Sequence, residues 1–306
     1  LFLYPAVHGG SDGLISWDTL LLSSSAFDPF IIKIAFIFTL IGFGTKVGFV
    51  PMHTWRPDAY SKAPIPIVAL LSGALLNVAF VAVLRFKSIV DLSIGTQFSS
   101  NLLIFFGIIS IVVAAFNILG QKNYKRLLAY SSIEHAGIMA LGFGFGGLGA
   151  FAAILHMIYH SLAKSILFLS AGNIFLKYGS TKIKNVNGLL AALPVSGVLF
   201  IIGFLAITGM PPFGIFVTEF LILSSGIKTH PYVVFLALAA LALVFIGFLR
   251  RVSLMAFGEK DASMPSGEGG IWTIAPIIFL MIILVLLSFY TPSLVQALLQ
   301  MAVIKY

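Results

Sequence analysis

The sequence predicts an all-α, polytopic membrane protein with about eight transmembrane helices, and three observations carry that prediction. Of 306 residues, 59% are hydrophobic and 9% charged, against about 25% charged in soluble domains. Apolar segments recur at the length that crosses hydrocarbon, about 20 residues each. Phe and Gly are both abundant, at 29 each, as lipid-facing and closely packed membrane helices favour.

Along the chain, residues 1–29 read as an extracytoplasmic connecting loop; the absence of an initiator Met and of a signal pattern suggests a larger parent protein. Apolar segments follow near 30–50, 65–85, 101–119, 127–146, 149–176, 190–224, 231–249 and 271–290. The first runs into "VPMHTWRPDAYSKAP", where Pro51, Pro57 and Pro64 interrupt the helix. The sixth is too long for one crossing, and "GMPPFG" at 209–214 should break it into two half-helices around an unwound stretch. Two interrupted segments in one chain point to a transporter core built from repeats. Residues 292–304 read as a short interfacial or partner-packing helix.

Charge sets the expected orientation. Loops after the first, third, fifth and seventh segments hold Arg56, Lys62, Lys122, Lys125, Arg126, Lys177, Lys182, Lys184, Arg250, Arg251 and Lys260. The opposite side holds Arg85, Lys87, Lys228 and Lys305. The positive-inside rule therefore puts the first group in the cytoplasm of a cell inner membrane. On this reading the net charge of +8 implies no nucleic-acid role. With no cysteine, the chain can hold no thiolate-bound metal, iron–sulfur cluster or disulfide.

Seven ionisable residues remain at membrane depth: Lys46, Glu134, His135, His156, His160, Lys164 and Glu219. His156, His160 and Lys164 are four apart, so they stack on one helical face. Each costs roughly 2.5–3.5 kcal/mol at the bilayer centre on insertion scales, so they should face a hydrated or paired interior. Lysine exchanges its proton readily when desolvated, and histidine relays between two nitrogens. Simpler readings exist for each residue. Lys46 and Glu219 could cap backbone at the helix breaks, the two histidines could join helices or bind a metal or haem, and Glu134 with His135 could be structural. Asn77, Ser131 and Ser132 fit ordinary polar packing. Taken together, the seven favour proton or cation translocation, with no metal or cofactor bound.

Four blocks carry a resemblance: "KVGFVPMHTWRPDAYSKAP" (46–64), "KRLLAYSSIEHAGIMALGFG" (125–144), "LHMIYHSLAKSILFLSAGNI" (155–174) and "GMPPFGIFVTEFLIL" (209–223). They resemble the antiporter-like proton-pumping subunits of respiratory complex I, Mrp cation/proton antiporters and membrane-bound nickel–iron hydrogenases. The wording is most similar to the hydrogenase-4 component F type. The resemblance implies helices seven to fourteen of the usual fourteen. Residues 30–100 would then be the tail of a first repeat, 101–250 a complete second five-helix repeat, and 251–306 a cytoplasmic loop, last helix and tail. It matches Lys46 to the broken-helix lysine, Lys164 to the central lysine, His135 to a relay histidine and Glu219 to the terminal acid. His156 and His160 would line the same axis. The family's partner for the residue matching Lys46 lies upstream of this sequence, and Asn77 stands where several relatives have Lys or His.

The expectation is a proton-translocating subunit, without turnover of its own, in a redox-driven complex with other antiporter-like and hydrogenase- or complex I-like membrane subunits. An Mrp-type Na⁺/H⁺ module, the proton channel of an inorganic-carbon uptake complex and a non-conducting scaffold are the alternatives.

Overall fold

The computed structural model describes residues 17–262 and 264–290. Most of the stretch read as an N-terminal loop, and the helix expected at 292–304, lie outside them. After a short α1 (Trp17–Leu22) come α2 (Pro29–Val47), α3 (Trp55–Lys62), α4 (Ile65–Ile94), α5 (Gln97–Gly120), α6 (Tyr124–Phe145) and α7 (Gly147–Tyr178). They are followed by α8 (Pro194–Ile207), α9 (Gly214–Gly226), α10 (Pro231–Ala256) and α11 (Ile271–Phe289). Helix α4 contains one π-helical turn, Leu71–Leu75. The described residues form no strand, only an isolated bridge between Asn123 and Lys182.

Local chemistry explains the boundaries. Asp28 caps α2, its Oδ1 accepting from the Phe30 and Ile31 amides at 2.9 Å each, with Pro29 at the first position. The helix stops at Gly48, which has φ +84° and closes it in the left-handed conformation that glycine adopts without a Cβ penalty. Asn123 caps α6 in the same way as Asp28 caps α2, accepting from Lys125 and Arg126. Glu268, from the loop before α11, reaches the start of α8. Its Oε1 accepts from the Val195 and Ser196 amides at 2.9 Å each, and its Oε2 from the Ser196 hydroxyl at 2.7 Å. A carboxylate at these unbonded N–H groups also meets the positive end of the helix dipole.

Six helices, α2, α4, α5, α7, α10 and α11, are long and apolar enough to cross a membrane. The sequence led to about eight crossings, and the two remaining segments differ for distinct reasons. The sixth is split into α8 and α9, as "GMPPFG" requires. The fourth, α6, carries Ser131, Ser132, Glu134 and His135, which lower its hydropathy. It needs no lipid-facing stripe because every residue but Arg126 and Phe145 is at least nine-tenths buried. Helices α5, α7, α9 and α3 surround it. Contact with α5 is closest at Gly107 and Gly137, where a Cβ on Gly137 would lie 2.6 Å from the Gly107 carbonyl oxygen. Small residues permit that backbone approach. The outward faces of α10 and α11 expose Phe235, Leu238, Ile246, Phe279 and Ile282, as lipid contact demands.

Two residues counted as loop charges are buried within helices. Arg56 is fully buried. Lys125 is buried too, with its ammonium 4.8 Å from the centre of the Phe175 ring. Lys87, on the other side, is buried and paired with Asp91.

Candidate functional site

Helix α7 presents His156, His160 and Lys164 to α6 from one face, and all three are completely buried. The Lys164 ammonium donates to the Leu128 carbonyl at 2.8 Å and to the Ser131 hydroxyl, both on α6. One turn further along α6, His135 joins three helices. Its Nδ1 lies 2.9 Å from His156 Nε2, and its Nε2 lies 2.9 Å from the Ile207 carbonyl oxygen. His156 Nδ1 is in turn 2.8 Å from the Thr218 hydroxyl on α9.

The hydrogen-bond geometry assigns the tautomers. A carbonyl only accepts, so His135 carries its proton on Nε2 when neutral. Its Nδ1 then accepts from His156 Nε2–H, and His156 Nδ1 accepts from the Thr218 hydroxyl, which turns its one proton from the Ile215 carbonyl, 2.9 Å away, to do so. The resulting relay is Thr218 → His156 → His135 → Ile207 carbonyl, every donor pointing the same way. Ile207 is the last residue of α8, so its carbonyl belongs to the unbonded set at a helix end. The helix break thus makes the acceptor, at the negative end of the α8 dipole.

Two carboxylates flank this relay. Glu134 Oε2 lies 3.5 Å from His135 Nε2, and Glu219 Oε1 lies 3.8 Å from His135 Nδ1. Gly209, in the break, has φ +66°, and a Cβ there would run into the Glu219 carboxylate. The unwound stretch therefore closes directly over Glu219. Between the carboxylates is a small cavity lined by Ser131, Glu134, Thr208 and Glu219, and walled by Leu241, Val244, Phe245 and Phe248 of α10. The space open to a water's centre is about 20 Å³, enough for about one water. Through Ser131 it connects the Lys164 end to both acids. His160 packs its ring centre 5.2 Å from that of His135, and neither of its nitrogens has a hydrogen-bond partner among the described residues.

The structure therefore brings together Glu134, His135, His156, His160, Lys164 and Glu219. It does not bring in Lys46, whose side chain is exposed at the end of α2. One ligand atom each from His135, His156 and Glu219 lies within 4.8 Å of the others. The two imidazoles already hydrogen-bond one another, however, at 2.9 Å. Asn77 donates to the Ser161 hydroxyl at 2.8 Å, and Ser132 meets Ser72 at 3.0 Å.

Sequence reasoning missed Arg56, Thr218 and the Ile207 carbonyl, and it treated Ser131 as packing. Arg56 had one usable signal: Tyr60, also buried, follows at i+4 on the same face. Thr218 sits beside Glu219, but nothing in its type marks a relay. A backbone carbonyl has no sequence signature beyond the prolines that free it.

The chain is similar to several known proteins. It is 41% identical over 262 residues to a hydrogenase-4 component F homolog from Methylacidiphilum infernorum, covering 85% of this chain and 55% of that protein. It is 31% identical over 239 residues to the NAD(P)H-quinone oxidoreductase chain 4 of Prochlorococcus marinus strain MIT 9312, covering 76% and 45%. The chain thus spans about half the length of these relatives. A subunit of the membrane-bound sulfane sulfur reductase, an archaeal respiratory membrane complex, superposes with a TM-score of 0.85 at 28% identity, over 99% of this chain and 62% of that one. The family described as NADH:quinone oxidoreductase/Mrp antiporter, transmembrane, matches residues 11–247, and the chain belongs to that family.

Proposed function

We propose that this chain is a proton-translocating, antiporter-like subunit of a redox-driven ion-pumping complex of the membrane-bound hydrogenase or complex I type. The observation that carries the proposal is the buried polar line from Lys164 through Ser131 and the carboxylate cavity to His135, His156 and Thr218. Such a line is costly in a membrane protein unless it is used.

Lys164 is the loading site. Its amine takes a proton, and the nearby Glu134 carboxylate stabilises the ammonium. The proton moves by way of the cavity to His135, whose imidazolium is held between Glu134, Glu219 and the Ile207 carbonyl. His156, held by the Thr218 hydroxyl, orients His135, and Glu219, whose Oε1 lies 3.8 Å from His135 Nδ1, takes the proton on as the release site. Lys46, outside the buried line, belongs to a separate half-channel completed by residues beyond this sequence or by a neighbouring subunit. Electron transfer takes place in partner subunits, and a conformational or electrostatic change from them alters the Lys164–Glu134 separation. The basic loops face the cytoplasm. Acid-driven dye quenching in vesicles holding the assembled complex tests the proposal. Lys164→Ala and Glu219→Gln should each abolish quenching while the subunit remains in place, and quenching at the wild-type rate in both would refute it.

One observation favours a second reading. The polar lining of the cavity is all oxygen, from two carboxylates and the Ser131 and Thr208 hydroxyls, which suits a hard cation such as Na⁺. Transport that requires Na⁺ would favour an Mrp-type Na⁺/H⁺ module instead.

A further inference from the structure

One buried charge plays no part in the relay. Arg56, on α3, is fully buried, and it belongs to none of the ion pairs found among the described residues. Asp58, two residues on, points outward to Arg126 instead. The guanidinium donates from Nη2 to the Lys46 carbonyl at 3.0 Å and from Nη1 to the Ser132 carbonyl at 3.5 Å, while its Nε has no partner among the described residues. Its carbon lies 5.7 and 5.6 Å from the centroids of the Trp55 and Tyr60 rings, which stand nearly perpendicular to one another. Gly48 leaves room for it, since a Cβ there would lie 2.8 Å from the guanidinium carbon. These contacts make a shaped pocket for one cation.

Its location gives the pocket a meaning. Lys164 binds the Leu128 carbonyl and Ser131 hydroxyl, and Arg56 binds the carbonyl of the next residue, Ser132. The two cations therefore grip one turn of α6. Arg56 also binds the carbonyl of Lys46, at the end of the first broken segment. A plain helix cap would explain the Lys46 contact alone. A neutral amide could make both carbonyl bonds, however, without the desolvation penalty of a buried, unpaired cation.

We propose that Arg56 is a permanent positive charge at the junction between the first broken segment and the Lys164 line, so that a proton on Lys164 is repelled from the Lys46 side and driven towards Glu134 and Glu219. The proposal rests on the reading of Lys164 as the loading site. Guanidinium does not lose its proton in proteins, so its field stays constant through the cycle. The other titratable groups whose charge acts on Lys164 are Glu134 and His135 from α6 and His160 from α7, and each of them can change its protonation. Arg56 is thus a positioning residue that acts through its charge.

The test is the pH profile of proton pumping by the assembled complex in vesicles, for wild type, R56Q, R56K and K164A. With the like charge removed, R56Q lets Lys164 keep its proton to higher pH. The alkaline limb of its profile should move up by about half a unit or more, and that of R56K should move the same way, because a buried lysine gives up its proton where guanidinium does not. An unshifted R56Q profile would overturn the proposal. If R56Q fails to assemble, R56K decides: an upward shift supports the permanent charge and a wild-type profile refutes it. Pumping that survives in K164A would refute the loading-site reading itself. Loss in K164A together with an unshifted R56Q would refute only the role given to Arg56.

Discussion

Replacing Thr218 by valine removes one hydroxyl and keeps the side-chain shape. Thr218 is fully buried, and its hydroxyl lies 2.8 Å from Nδ1 of His156, which is itself fully buried. No other partner of that nitrogen is found among the described residues, so the substitution leaves a buried acceptor unsatisfied. Such a loss costs about 1–3 kcal/mol. Part of that cost falls on the relay, because His156 can no longer be held in the tautomer that donates to His135. If about 1.4 kcal/mol of it appears in the barrier to transfer, pumping slows about tenfold. Thr218→Ser retains the hydroxyl and should pump within about twofold of wild type, a difference worth under 0.5 kcal/mol. Initial rates of dye quenching in vesicles, normalised to assembled complex, provide the comparison. Equal rates for the valine and serine variants would refute a relay running through His156 and Thr218.

Two further substitutions separate the helix break from general stability. Gly209→Ala meets both a left-handed backbone, which costs roughly 1–2 kcal/mol, and the Glu219 carboxylate. Gly179→Ala, at φ +63° with no atom within 4 Å of the added Cβ, meets only the backbone term. Thermal melting and pumping of both variants should therefore show a larger loss at Gly209, with pumping impaired only there. Glu268→Ala strips the cap from α8 and should lower stability by about 0.5–2 kcal/mol. Because Glu268 lies outside the relay, pumping by the surviving complex should be unchanged.

The legible and illegible parts of this molecule divide on physical lines. Helix lengths, the Pro-rich interruption after α2 and the break at 209–214 were readable because hydropathy and proline act locally. The stacked face of His156, His160 and Lys164 was readable from its spacing of four. Burial of α6 was not, since shielding by neighbouring helices leaves no periodic stripe in the sequence. Arg56 looked like a loop charge because prolines surround it; only the tertiary approach of α3 to α6 buries it. Lys46 looked equivalent to Lys164 in type and setting, yet α2 ends with its side chain facing outward. The Ile207 carbonyl becomes an acceptor only because its helix stops there, a property of the backbone.

The ratio of protons translocated to electron pairs transferred, measured in vesicles for the wild-type complex and Lys164→Ala at matched assembly and electron-transfer rate, tests the proton path most directly. Conduction through Lys164 predicts that proton translocation is lost in the variant while electron transfer continues. An unchanged ratio would contradict it and leave the buried line as packing.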